Sequence, residues 1–163
     1  MSTLAGPVIA PADERHLEAL MAVMRTAFDP RYGESWSALQ LAGTMGLASS
    51  FARQALGPDG RARGFTLCRS AGVEVELLLI AVDAAERGKG YGSLLMQTAC
   101  QDAFRHGASQ LFLEVRENNT AARALYGRTG FVDVGRRPDY YSGSAGERFA
   151  AITMRRELAD LVN

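Results

Sequence analysis

The sequence predicts one mixed α/β domain, and three observations carry that reading. Compact apolar runs of strand length, Leu77-Leu78-Leu79-Ile80-Ala81-Val82 and Leu111-Phe112-Leu113-Glu114-Val115, stand in the middle of the chain. Between them Tyr91, Leu94, Leu95, Ala99 and Ala103 recur at the i, i+3, i+4 spacing of a helix. No linker, repeat or low-complexity segment divides the 163 residues, a length that supports one hydrophobic core. The single domain is therefore expected to span 1–163.

The elements follow in order. Val8-Ile9 reads as a short strand, and Asp13 or Ala12 starts a helix whose apolar face is Leu17, Leu20, Met21, Met24 and Phe28. A loop through Pro30 and Gly33 leads to Ser35-Trp36-Ser37, which caps a second helix ending near Met45. Residues 47–56 and 63–70 pair as strands across the turn Gly57-Pro58-Asp59-Gly60, and Gly72 breaks the chain before a longer strand at 73–82. The next helix runs from about Gly90 to His106 and stops at Gly107. After the strand at 111–115, Asn118-Asn119-Thr120 opens a helix with Ala121, Ala124, Leu125 and Tyr126, which Gly130 ends. Phe131–Val134 is a strand, Tyr140–Gly146 a polar loop and Phe149–Met154 the last strand.

Composition narrows the function classes. Acidic and basic residues balance at 18 each, so no strong field for nucleic acid or anionic membrane is implied. Cys68 and Cys100 lie in apolar segments without metal or redox spacing and read as reduced core thiols. His16 and His106 stand alone, and Trp36 reads as packing. No metal site is expected. The start Met-Ser-Thr-Leu-Ala-Gly-Pro has neither the basic region nor the long apolar core of a secretory leader, and no run approaches the ~18 apolar residues of a membrane span. A cytoplasmic location is the default expectation.

The most informative stretch is Arg87-Gly88-Lys89-Gly90-Tyr91-Gly92, directly after the apolar run 77–82. Glycines let backbone amides converge on a ligand, and a helix starting there adds unpaired N–H groups and the positive end of its dipole. The implied object is a pyrophosphate cradle. It is not a Walker A loop, because no Gly-Lys-Ser/Thr closes it, and Gly88-x-Gly90-x-Gly92 misses the dinucleotide spacing. Taken alone, such a turn is as consistent with a purely structural role.

Its context carries a resemblance. Arg87-x-x-Gly90-x-Gly92 after Ile80-Ala81-Val82 resembles the acetyl-CoA motif of the GNAT N-acetyltransferases. Downstream, Leu113-Glu114-Val115-Arg116-Glu117-Asn118-Asn119-Thr120-Ala121-Ala122-Arg123-Ala124-Leu125-Tyr126, then Gly130-Phe131, is similar to the matching block of that family. With Arg136-Arg137-Pro138-Asp139-Tyr140-Tyr141 it resembles the RimI-type branch, which acetylates the N-terminal alanine of a ribosomal protein. The resemblance covers about residues 74–141; the first 70 match loosely, around Phe28 and Trp36. One departure lies at the peptide-recognition end. The branch often carries an acidic residue before the Ala that starts its last strand, whereas here Glu147-Arg148-Phe149-Ala150 intervenes.

The resemblance implies an α/β (α+β) GNAT fold: a mixed, mostly antiparallel sheet whose middle strands splay apart, flanked by helices. It implies acetyl-CoA as cosubstrate, with pyrophosphate on the amides of Gly88, Lys89, Gly90, Tyr91, Gly92 and Ser93. The amide-rich pantetheine arm would pair with free backbone along Ile80, Ala81 and Val82, much as an added strand does. Arg87 and Lys89 either add charge to the phosphates or are solvated loop charges. Ser93 is either a phosphate donor or a first-turn helix residue. Asn119 is a helix N-cap, a contact to the cofactor arm, or both, since Asn has donors and an acceptor.

The chemistry implied is direct attack by an amine on a thioester. Tyr126 is the proposed general acid for the leaving thiolate, against the plainer reading of a core tyrosine. Proton transfer from a phenol near 10 to a thiolate near 8.5 is uphill by roughly 2 kcal/mol, so site dipoles must assist, or the phenol acts as a hydrogen-bond donor to developing charge. Glu114 is the favoured base, acting through water, and Glu76 competes with it; Glu74 reads as a solvated strand end. An α-amine near 8 is partly neutral at neutral pH, whereas a lysine near 10.4 loses roughly 4 kcal/mol to deprotonation. A weak, water-relayed base suits an N-terminus. Tyr140 and Tyr141 either line a peptide groove or pack in a loop. The expected acceptor is a protein N-terminus of ribosomal type. A small-molecule amine acceptor is the first alternative, and a non-catalytic acyl-CoA-binding regulator the second. The chain would act as a monomer or homodimer.

Overall fold

The computed structural model describes residues 6–161. Residues 1–5, read above for a leader, lie outside it. Seven strands form one sheet in the order β1-β2-β3-β4-β5-β7-β6: β1 (Val8–Ala12), β2 (Ser50–Leu56), β3 (Ala62–Ala71), β4 (Glu74–Val82), β5 (Gln110–Arg116), β6 (Val132–Ser142) and β7 (Arg148–Glu157). Every neighbouring pair is antiparallel except β4 and β5. This is the GNAT fold expected from the resemblance.

Helices cover both faces. Helix α1 (Leu17–Ala27) and helix α2 (Ala38–Met45) bury Leu20, Val23, Met24 and Leu41 against Phe65, Leu67, Leu79 and Ala81. Helix α3 (Tyr91–Arg105) packs Met96, Ala99, Cys100 and Ala103 against Val75, Leu77, Leu111, Leu113 and Val115 on the other face. Helix α4 (Thr120–Arg128) joins α3 there through Ala122, Leu125 and Tyr126. Each helix start has a local cause. Asp13 caps a short 3-10 turn with His16 reaching back to its amide, and α1 continues from that turn. Ser37 and Gln40 close a capping box at α2, as Ser35-Trp36-Ser37 predicted. Asn119 Oδ1 accepts the Ala122 amide at 3.2 Å and caps α4.

Strand β4 decides where the site lies. Leu67 and Cys68 of β3 sit opposite Leu79 and Leu77, so Leu78 is an extra residue, a β-bulge. The bulge reverses the alternation of β4. Val75 and Leu77 face α3, whereas Leu79 and Ala81 face α1. A bulge also bends its strand. Pairing between β4 and β5 stops at Glu76 opposite Phe112, just before that bend. Among the described residues, 77–82 thus keep β3 on one side and have no strand on the other.

One expectation is corrected. Tyr140 and Tyr141 are not in a loop: β6 continues to Ser142 through an irregularity between Arg137 and Tyr141, where Asp139 takes a φ of +56°. Pro138 and Asp139 read locally as a turn, but the ladder to β7 resumes at Tyr141 opposite Phe149. In α4, Ala121 and Ala124 are exposed, and the inward face is Ala122, Leu125 and Tyr126. The cap at Asn119 sets the phase of that helix.

Candidate active site

The unpaired stretch of β4 opens a cleft of about 820 Å3. Its walls include β4 from Glu76 to Val82, β5 from Leu113 to Arg116, the turn into α3, helix α4, and residues of the α1–α2 loop and β6. Of the residues singled out in the sequence, Glu76, Ile80, Ala81, Val82, Arg87, Gly88, Gly90, Tyr91, Gly92, Ser93, Glu114, Asn119 and Tyr126 all line it. Trp36, Tyr140 and Tyr141 line it too.

At one end stands the glycine turn. Gly88 and Gly90 adopt φ of +78° and +88°, the left-handed region where an L side chain is strained. Gly90 is the N-cap of α3 and offers no side chain to the helix, so the first amides of α3 are left open for an anion. Gly92 serves a second purpose: a Cβ there would lie 3.1 Å from Leu125 Cδ2, so the glycine lets α3 and α4 approach closely. The two loop cations behave differently. Arg87 lines the cleft while its guanidinium donates to the Ala27 carbonyl. Lys89 is not part of the cleft wall; its Nζ pairs with Glu86 at 2.9 Å.

At the other end the two faces of the sheet meet. Glu114 lies between Leu113 and Val115, both packed toward α3, so its carboxylate is on the α1 face. Glu76 is on that face as well, flanked by Val75 and Leu77. Each carboxylate has an arginine. Arg137 reaches Glu114 at 3.3 Å, and Arg69 reaches Glu76 at 3.1 Å from the adjacent strand. The difference is position: Glu76 belongs to the last paired rung of β4 and β5, and Glu114 lies past it, where the strands have parted. Its side chain is 29% exposed, against 47% for Glu76.

Tyr126 comes from the opposite face. Its ring packs near Phe131 within the α3–α4 core, with centroids 6.1 Å apart. Burial pushes its phenol well above the ordinary tyrosine range, with added contributions from the charge of Glu34 and from Tyr141. Those two residues belong to the cleft wall formed by the α1–α2 loop and β6, and Tyr126 lines the same cleft. Tyr141 is pushed up to about 12 by burial, with Glu34 and then Glu114 adding to the effect. Both phenols hold their protons at neutral pH.

A second cluster was missed in the sequence. Arg116, whose side chain is 7% exposed, pairs with Glu34 at 3.2 Å. Its guanidinium lies 3.4 Å from the centroid of the Tyr32 ring and also donates to Asn118. Tyr32 in turn meets Phe149 of β7 edge-on at 5.7 Å. This chain of contacts bolts the α1–α2 loop to β5 across 82 residues of sequence. Glu34 carries no motif and sits in a loop without periodicity. Only the resemblance block, which contains Arg116, offered a signal.

Comparison with known proteins agrees with this architecture. The model of the acetyltransferase (GNAT) family matches residues 17–131, and the chain belongs to that family. A Haemophilus ducreyi protein named ribosomal protein bS18-alanine N-acetyltransferase is 36% identical over 90 residues, covering 55% of this chain and 62% of that protein. A streptothricin acetyltransferase of Streptomyces lavendulae is 35% identical over 102 residues, 61% of this chain and 54% of its own. The aligned stretch thus spans less than two thirds of the length of either relative. The crystal structure of the ribosomal-protein-S18-alanine N-acetyltransferase from Escherichia coli superposes with a TM-score of 0.84 at 27% identity, covering 97% of this chain and all of that one.

Proposed function

We propose that the chain is an acetyl-CoA-dependent N-acetyltransferase acting on a protein N-terminal α-amine, of the class that the ribosomal-protein-alanine relatives are named for. One observation carries the chemistry: Glu114 and Tyr126 approach the opening between β4 and β5 from opposite faces of the sheet. The cleft fits the cosubstrate. Residues 77–82 offer unpaired strand backbone to an amide-rich arm, and the uncapped start of α3 faces a pyrophosphate with amides. Acetyl-CoA supplies the thioester. Ile80, Ala81 and Val82 bind its arm, and Gly88–Ser93 with Arg87 bind its phosphates. Asn119 spends one oxygen on its cap, and its amide donors remain for the arm.

The protein groups then have distinct tasks. Glu114 draws a proton from the attacking nitrogen through water as the N–C bond forms. Tyr126 donates to the sulfur as the C–S bond breaks, so the products are the N-acetyl amine and free CoA thiol. A carboxylate paired with Arg137 is a weak base, adequate for an α-amine that is already partly neutral at neutral pH. Tyr126 keeps its proton because its site is dry, and in that low-dielectric setting its hydrogen bond to a developing thiolate is strengthened. Glu114 is the base in this reading and Glu76 a supporting charge.

The test is incubation with acetyl-CoA and three acceptor types, reading acceptor mass and free thiol: an Ala-starting peptide, an N-blocked peptide with an internal lysine, and a small polyamine. Acetylation of the Ala-starting peptide ahead of the others is expected. Acetylation of the small amine alone would overturn the acceptor assignment, and CoA binding without any product would overturn the enzymatic one.

A further inference from the structure

The cleft holds a carboxylate that the chemistry above does not use. Glu34 lies on the cleft wall in the α1–α2 loop. Its Oε1 accepts from both Arg116 Nε and Nη2, at 3.4 and 3.2 Å. Among the described residues its Oε2 accepts from nothing. Glu34 is one-fifth exposed, Arg116 is almost wholly buried, and Glu34 is among the residues that line the cleft.

The carboxylate is also held still. Arg116 is fixed three ways, by Glu34, by Asn118 and by the face of Tyr32, and Tyr32 rests on Phe149. A guanidinium stacked on an aromatic ring and paired with a carboxylate loses little further freedom when a ligand arrives. Glu34 lines the same cleft as Tyr126 and Tyr141. Both phenols feel the charge of Glu34. Glu114 and Glu76 also accept from one arginine each, but Arg137 and Arg69 are exposed side chains, whereas Arg116 is buried.

We propose that Glu34, pinned by Arg116 over Tyr32, receives the ammonium group of the incoming acceptor through Oε2 and so selects cationic primary amines and positions their nitrogen. This rests on the acetyltransferase reading above and adds to it the recognition step. The amine that reaches the cleft is mostly protonated at neutral pH. A fixed carboxylate collects that form by a charge-assisted hydrogen bond. The ammonium gives one proton to solvent water, and the neutral nitrogen is then held in the cleft that Glu114 also lines.

The experiment uses the full chain saturated with CoA, which carries no acetyl group and therefore permits binding without turnover. Two probes are compared by calorimetry: an Ala-starting tetrapeptide amide and its des-amino analogue, in which the terminal amine is replaced by hydrogen. The wild type is expected to favour the amine roughly tenfold or more, the worth of one charged hydrogen bond. Glu34→Gln keeps the shape and an oxygen for Arg116, and is expected to bind both probes alike while CoA affinity is unchanged. Glu34→Asp restores the charge and is expected to recover part of the preference. Retention of the wild-type preference by Glu34→Gln, or absence of any preference in the wild type, would overturn the assignment of Glu34 while leaving the acetyltransferase reading intact. If the wild type fails to acetylate the tetrapeptide although CoA binds, the peptide-acceptor reading falls and this proposal falls with it.

Discussion

At the scale of residues, the account turns on Tyr126 and Glu114. Tyr126→Phe removes one hydroxyl from a buried ring, and turnover is expected to fall by about 10²-fold with CoA affinity nearly unchanged. Stopped thiol-release assays alongside CoA titration check it, and loss of CoA binding alone would refute the acid assignment. The pH profile adds a second check. The folded phenol ionises above the ordinary value near 10, so Tyr126 stays protonated at every pH below that value. No alkaline loss of turnover below about pH 10 should trace to it. The sign for stability follows: its contribution is fully present below about 10 and is lost as pH rises toward the folded value. Glu114→Gln should slow turnover by one to two orders of magnitude, about as general bases contribute, and Glu76→Gln by far less. Equal losses would return Glu76 to contention. Glu114 and Tyr126 became candidates through the resemblance: a carboxylate in an apolar strand drew notice by itself, but a phenol on an Ala/Leu helix reads first as core. Glu34 was not legible. Its partner is 82 residues away, and no local pattern marks a loop residue that only the folded sheet brings to the cleft.

At the scale of elements, the proposed acetyl-CoA site rests on the glycine turn and the starts of α3 and α4. Gly90→Ala forces an L side chain into a φ of +88°, at a cost of about 1–2 kcal/mol, and should also raise the KM for acetyl-CoA as the amides shift. Thermal denaturation and initial rates read both effects. Asn119→Ala removes the α4 cap and should destabilise by about 1 kcal/mol while weakening CoA binding, whereas a pure cap would lower the Tm only. Element order was largely legible, because glycines and capping residues punctuate the chain where periodicity changes. The bulge at Leu78 was hidden in a run of six apolar residues, where a reversal of face leaves no trace in composition. The length of β6 was hidden as well. Pro138 and Asp139 imitate a turn, and only pairing with β7 carries the strand on to Tyr141.

At the scale of the whole molecule, the sheet is one frame and the cleft is the place where its ladder fails. Remote ties keep the frame aligned. Asp102 of α3 accepts from Arg53 of β2 at 2.8 and 3.0 Å, and the carboxylate is almost fully buried. Asp102→Ala should cost about 2–3 kcal/mol in denaturant unfolding, below the figure for a fully buried pair because Arg53 remains 27% exposed. Ligand should act across the same frame. CoA at a hundredfold excess over Kd is expected to add about 2.7 kcal/mol and raise the Tm by roughly 5–10 °C. Both results would follow from any well-folded CoA-binding protein of this family, so they do not reach the claim that matters most. That claim is the nitrogen on which the acetyl group lands. Fragment-ion mass spectrometry of a peptide carrying a free Ala α-amine and an internal lysine, after reaction with acetyl-CoA, measures it directly. The account predicts acetylation of the α-nitrogen with the lysine untouched; acetyl on the lysine, or an unmodified peptide beside intact CoA binding, would contradict it.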